Sequence, residues 1–284
     1  MSQPVLRREA SSSHQVVPTD DGAKLAVTVH RPNGYASGAT VLLSHGWAAG
    51  RAGWRPVTRR LLDLGHTVVA YDQRGHGESS LGSEPIAIPR LGNDLASILA
   101  QADADGVILV GHSGGGFAAL SYAIGHAADA RRRLRGLALL ATAAHDQDTK
   151  PAEVRMMGSG LFSSALSLPA LGRRMLRQTM GTWVNPAALE THRRLFAATP
   201  GPVRAACFSS TRGMDQRPGL RTITCPTVVL AGDSDTVIAP KLGQAVADAI
   251  PQSRYELLPG AGHMLPLERP GRIAAVIDDL VHSG

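Results

Sequence analysis

A serine hydroxyl is a weak nucleophile near neutral pH. It attacks a carbonyl only when an imidazole takes its proton, and that imidazole works best beside a carboxylate that selects its tautomer and stabilises its cation. The chain places one group of each type where an apolar run stops at a turn. Ser113 lies in Gly111-His112-Ser113-Gly114-Gly115, between the apolar residues 107–110 and the Ala-rich residues 117–124. Gly232-Asp233-Ser234-Asp235 follows the run at 226–231, and Pro259-Gly260-Ala261-Gly262-His263 follows the run at 255–258. A fourth turn, His45-Gly46-Trp47, follows residues 40–44.

The serine turn reads as strand, sharp bend, helix, with the hydroxyl raised above a sheet on a strained backbone. Gly111 and Gly115 lie two residues to either side of Ser113, where a Cβ would collide as strand and helix cross. His263 is the candidate base. The acid is less sharply defined, because Asp233 and Asp235 are two residues apart and either suits a turn or an N-cap.

These turns need a scaffold that brings them together. Eight strand-like runs are expected, at residues 16–19, 25–30, 40–44, 67–71, 107–110, 137–140, 226–231 and 255–258. The first two, joined by Asp20-Asp21-Gly22, form an edge hairpin, and a loop at 32–38 leads to the third. Helical patterns separate most of the others: residues 54–64, then 91–99, 117–124, 240–250 and 270–282. Strands alternating with helices imply a parallel sheet covered on both faces, with functional groups at the strands' carboxyl ends. The rhythm breaks at 145–221, which holds five of the seven methionines and no strand-like run.

Composition narrows the class. A 43% apolar content suits a globular core, and no apolar run approaches the ~20 residues of a bilayer span. The first residues are polar, so a disordered lead-in over 1–13 is expected rather than a secretory signal. Cys207 and Cys225 are too few and too isolated for a disulfide framework or a metal site, which fits a reduced, cytoplasmic setting. The formal charge of +6 comes from basic residues spread along the chain, so a nucleic-acid partner is not expected. The densest cluster, at 131–135, falls at the sheet end remote from Ser113.

With these motifs in place, the chain resembles the α/β-hydrolase superfamily, and within it the capped serine esterases and lipases, including the monoacylglycerol-lipase-like members. The likeness runs through His45-Gly46, Asp72-x-Arg74-Gly75-x-Gly77-x-Ser79, the Gly-His-Ser-Gly-Gly turn, Gly232-Asp233-Ser234-Asp235 and Gly262-His263. It departs at Gly114, where many of those members carry Met. The chain order Ser, Asp, His is that of this superfamily and differs from the chymotrypsin-like and subtilisin-like orders.

The resemblance implies an α/β fold with a mostly parallel eight-stranded sheet, helices on both faces, and a helical cap inserted after strand 6. The core would span 14–144 and 222–284 and the cap 145–221. It favours Asp235 over Asp233 as the acid; Asp146 and Asp148 hold a position used by some relatives. The backbone N–H groups of Trp47 and Gly114 would form the oxyanion hole. Asp72, Arg74 and His76 would tie the loop after their strand, and Glu268 would orient the His263 loop or begin the last helix.

The function implied is hydrolysis of a small-molecule carboxylic ester through an acyl-enzyme, with no metal or organic cofactor and no stable membrane insertion. Thioesterase, lactonase, C–C bond hydrolase and perhydrolase activities need the same triad, and a hydrolase-fold binding protein with little turnover is a further alternative. Oligomeric state is not legible. His45, His112, Met156, Met157, Leu161, Phe162 and Trp183 are the candidate substrate-binding residues, the Met-rich insertion suggesting an apolar acyl group. Arg173, Arg174, Arg177, Arg193 and Arg194 would either guide an anion or form solvated faces.

Overall fold

The computed structural model describes residues 11–33 and 38–282. The first ten residues of the expected lead-in and most of the expected loop at 32–38 lie outside these. Among the described residues, eight strands form one sheet: β1 (Ser11–Pro18), β2 (Lys24–Arg31), β3 (Thr40–Ser44), β4 (Thr67–Tyr71), β5 (Val107–His112), β6 (Leu134–Leu140), β7 (Thr227–Gly232) and β8 (Ser253–Leu258). Their order is β1-β2-β4-β3-β5-β6-β7-β8, and only β2 runs against the rest.

The helices outside the β6–β7 connection are α1 (Arg55–Asp63), α2 (Ile88–Ala102), α3 (Gly114–Gly125) and α4 (Ala127–Arg133) before it. The β6–β7 connection contains α5 (Pro151–Gly158), α6 (Gly160–Ser167), α7 (Pro169–Leu176), α8 (Pro186–Ala198) and α9 (Gly201–Ser209). After it come α10 (Pro240–Ala249), the single turn α11 (Leu265–Glu268) and α12 (Pro270–His282). The two ends of the β6–β7 connection meet in an isolated antiparallel bridge, His145 with Asp215.

Strand periodicity builds the layers. Successive side chains of a strand point to opposite faces, so Val107 and Leu109 of β5 join one apolar cluster with Leu91, Leu95 and Ile98 of α2 and Phe117 and Leu120 of α3. Ile108 and Val110 join the other, with Val57 and Leu61 of α1 and Ile273, Ile277 and Leu280 of α12. A strand buried on both faces reads as an unbroken apolar run, as residues 107–110 do. No helix among the described residues is long and apolar enough to cross a membrane.

Several boundaries differ from expectation, β6 and α2 each beginning three residues early, and two of the differences bear on the site or the sheet edge. β1 begins at Ser11 rather than residue 16, so residues 11–13 of the expected lead-in are strand. Ser-Ser-Ser-His-Gln carries no apolar alternation. The strand exists because its backbone pairs with β2 over eight residues, aided by Ser12–His30 and His14–Thr28 side-chain hydrogen bonds of 2.7 and 3.1 Å. The helix after the serine starts at Gly114, three residues early, because its first turn packs directly on the strand ends. The basic cluster at 131–135 lies at the amino end of β6, with Arg132 and Arg133 paired to Asp129.

Arg74, fully buried, locks the loop after β4. Its Nε and Nη2 donate to Asp94 of α2, both at 2.7 Å, and its Nη1 and Nη2 donate to Asp21 of the β1–β2 turn, at 2.7 and 3.1 Å. Both carboxylates are as inaccessible as the guanidinium. Arg74→Met would leave buried Asp21 without a cationic partner and Asp94 with Arg90 alone, at 3.5 Å, and a loss of about 3–5 kcal/mol is expected. Urea unfolding should show a lower midpoint at unchanged slope; an unshifted midpoint would contradict this account.

Candidate active site

Ser113 follows β5 and caps α3 with φ 51° and ψ −119°, a conformation a side-chain-bearing residue adopts only under constraint. Its N–H donates to Leu140 O at 2.9 Å, and its carbonyl accepts from Gly116 N at 2.8 Å and Thr142 Oγ1 at 3.0 Å. The flanking glycines are required sterically: a Cβ on Gly111 would lie 2.5 Å from Gly115 O, and one on Gly115 would overlap Ser44 O of β3. The local sequence thus forms a bend in which glycines on both sides of Ser113 allow strand and helix to close on its backbone.

Three strand ends meet there. Ser113 Oγ lies 3.0 Å from His263 Nε2, and His263 Nδ1 lies 2.9 Å from Asp235 Oδ2. The carboxylate fixes the tautomer: Nδ1 carries the proton, leaving the Nε2 lone pair toward the hydroxyl. Asp235 Oδ1 accepts from Val237 N and Ile238 N at 2.8 and 2.9 Å. Burial by itself would raise this carboxyl, but the His263 ring and those two N–H groups outweigh it and hold it below the ordinary carboxylate value. Asp233 instead accepts from Gly260 N and Ser234 Oγ as a turn residue. Asp146 accepts from Thr149 N and Gly213 N. All three aligned side chains are at least nine-tenths buried.

The turn after β3 faces the serine. The backbone N–H groups of Trp47 and Gly114 have no hydrogen-bond partner among the described residues, and that of Gly114 opens α3, where the helix dipole favours negative charge. The loop after β4 braces this turn. His76 Nδ1–H donates to Arg74 O at 3.1 Å, so its Nε2 accepts Ala48 N–H, also at 3.1 Å. Asp72 accepts Arg51 N–H at 2.8 Å and pairs with the Arg51 guanidinium. Asp72, Arg74 and His76 therefore act as braces, as the sequence implied.

The side chains expected to bind substrate divide. His45 donates from Nδ1 to Gly46 O at 2.7 Å and accepts Gln73 N–H at Nε2, so neither nitrogen is free. His112 Nε2 donates to His263 O at 2.8 Å, which makes it a strut behind the imidazole. These two belong to the framework because each is sealed under the loops it holds. Met157 and Phe162 pack against Leu166, Leu176, Met180, Leu189 and Phe196, and this cluster reaches Ala48 beside Trp47 and Met264 beside His263. Met156, Leu161 and Trp183 are exposed, the last two at 83%. Met156 and Leu161 stand on the side of their short helices turned away from the core, and Trp183 lies in the bend before α8.

Residues that the sequence did not single out also reach the site. Thr179 O accepts His263 N–H at 2.8 Å, and the hydroxyl of Thr179, donating to Leu176 O, lies 3.2 Å from Nε2 of buried His192 on α8. A lone histidine in a polar helix gives no sequence signal for this. Glu268 accepts Gly181, Gly262 and Met264 N–H groups at 2.8–3.0 Å and so orients the His263 loop. Arg173 and Arg193 pair with Glu190 inside the helical insertion, and Arg177 binds Gly181 O. Among the described residues, no three His, Cys, Asp or Glu side chains are grouped to hold a metal ion.

The chain is similar to known proteins in sequence and in fold. The model of the Alpha/beta hydrolase family matches residues 41–276. A protein of Variovorax paradoxus assigned as a carbamate hydrolase is 32% identical over 247 residues, covering 83% of this chain and 87% of its own. A pimeloyl-[acyl-carrier protein] methyl ester esterase of Stenotrophomonas maltophilia is 27% identical, covering 86% and 93%. In fold, an esterase from Exiguobacterium antarcticum superposes with a TM-score of 0.82 at 21% identity, covering 95% of this chain and all of its own.

The buried histidines make stability pH-dependent. Burial drives His45 down to about 4 and His76, His112 and His192 to about 3. In the unfolded chain each regains its ordinary value near 6.5, so between about pH 6.5 and 4 the unfolded state binds more protons and the fold loses stability as pH falls. Urea unfolding at about pH 7.5, 6 and 5 should give a declining free energy, with a shallower decline for His192→Phe. Equal stability across that range would contradict the neutral, buried state of these rings.

Proposed function

The chain belongs to the alpha/beta hydrolase family, and from that premise we propose that it hydrolyses carboxylic esters through an acyl-enzyme on Ser113. The observation that carries this reading is the buried line from Ser113 Oγ through His263 to Asp235, beside two backbone N–H groups that have no partner among the described residues. Ser113 Oγ attacks the ester carbonyl carbon as His263 Nε2 takes its proton, and the carbonyl π electrons move to oxygen. The N–H groups of Trp47 and Gly114 hold that oxyanion. Collapse expels the alkoxide, which receives the proton from His263. Water repeats the sequence on the acyl-enzyme, releasing the acid and restoring the serine. Asp235 stays ionised and stabilises the imidazolium.

Residues 145–221 act in this reading as a cap, since their apolar core touches both the Trp47 turn and the residue after His263. The apolar side chains of that core, Met180, Phe196 and Met264 among them, support an apolar acyl group. The relative assigned to carbamate hydrolysis supports a second substrate class, carbamates, whose carbonyl presents the same target to Ser113.

Intact-mass analysis after fluorophosphonate treatment tests the nucleophile. One adduct is expected on the native chain and none on Ser113→Ala. Turnover of a p-nitrophenyl ester series should fall by at least about 10,000-fold in Ser113→Ala and in Asp235→Asn, while Asp233→Asn stays near the native rate. A folded native chain that neither labels nor turns over any ester or carbamate would refute the reading.

A further inference from the structure

The mechanism above uses only the backbone of Trp47, yet its side chain has an unmet requirement. The indole Nε1–H is buried and has no hydrogen-bond partner among the described residues, a costly state for a donor. Two contacts hold it so. The ring packs against Phe117 of α3 and Phe208 of α9, each at a centroid distance of 5.4 Å. Its pyrrole edge lies against Gly114: a Cβ there would overlap Nε1 and Cδ1 and sit 2.7 Å from Cε2. Any side chain at position 114 would push the indole away, so the departure from Met at this position makes room for the ring.

The orphan donor therefore lies beside the residue whose N–H faces the attacked carbonyl. Trp54 has an unpartnered indole nitrogen too, but it belongs to the core beneath α1. Trp47 differs by its place at the serine turn. A donor without a ground-state partner suits an acceptor that exists only during reaction, because preorganised donors aimed at developing charge stabilise the transition state without reorganisation. Taking Ser113 as the nucleophile, on which this inference rests, we propose that the Trp47 indole N–H is a third donor to the oxyanion, beside the backbone N–H groups of Trp47 and Gly114. Trp47 is then a catalytic residue through its side chain as well as its backbone.

The test replaces Trp47 by β-(3-benzothienyl)alanine, which keeps the ring outline and puts sulfur in place of N–H, with Trp47→Phe as a second variant. Ester kcat is expected to fall about 10- to 100-fold, as for loss of one hydrogen bond to a charged group, with KM little changed. A substrate-matched trifluoromethyl ketone, whose hemiketal on Ser113 carries the oxyanion, should bind more weakly by the same factor. In the native chain labelled with 15N at the indoles, the Trp47 N–H proton should move downfield when the ketone is added. Native kcat in the benzothienyl variant would overturn the proposal. So would a fall in kcat with unchanged ketone affinity, which would mark a packing role, or an unmoved Trp47 signal in the ketone complex. Fluorophosphonate labelling of the native chain separates the two levels: no adduct and no turnover would refute the serine reading and this proposal with it, whereas labelling with an indifferent Trp47 refutes this proposal alone.

Discussion

The left-handed backbone of Ser113 is the constraint on which the site depends. A non-glycine residue at φ 51° relaxes unless its neighbours hold it, and here they do so from three directions. β6 accepts its N–H through Leu140 O, Thr142 caps its carbonyl, and α3 presses so close that Gly111 and Gly115 have no room for a Cβ. That approach requires β5 to be central and buried on both faces. The two apolar layers around residues 107–110 thus position a single hydroxyl.

The other groups are held by elements that share no local sequence with the serine. His263 is fixed by Asp235 after β7, by His112 beside the nucleophile, by Thr179 from the helical insertion and by Glu268 of α11. The turn at His45-Gly46-Trp47 is fixed by Gln73, His76 and Asp72 after β4. That loop is anchored through Arg74 to α2 and the β1–β2 turn. Hydrophobic layers set the coarse position, and buried polar groups, each with named partners, set the last ångström.

The helical insertion follows different rules. Its five helices are short, so their stability comes from packing rather than from their own hydrogen bonds. Arg204, fully buried, ties them by donating to Met157, Phe196 and Thr199 carbonyls and to Ser163 Oγ. Nothing in a run of alternating small, basic and apolar residues says which side of each helix turns inward. Methionine content marked the segment as adaptable, yet Met156, Leu161 and Trp183 face outward while Leu166, Leu176, Leu189 and Phe196 fill the core.

What the sequence determined by itself was whatever depends on a few neighbouring residues. The alternation of strands and helices, the strained serine turn with its two obligatory glycines, and the placing of Ser113, Asp235 and His263 at strand ends all follow from local sterics and periodicity. Tertiary structure decided what depends on approach through space. It chose Asp235 over Asp233, because only one of these two carboxylates, two residues apart, meets the imidazole, while the other accepts from Gly260 N–H. It extended β1 to Ser11 through pairing with β2. Through Gln73 N–H and His263 O it made His45 and His112 struts rather than pocket walls, and it set the indole of Trp47 against Gly114. The reason is common to all four: a hydrogen bond or a close contact is fixed by the partner's position, and that partner lies tens of residues away in the chain.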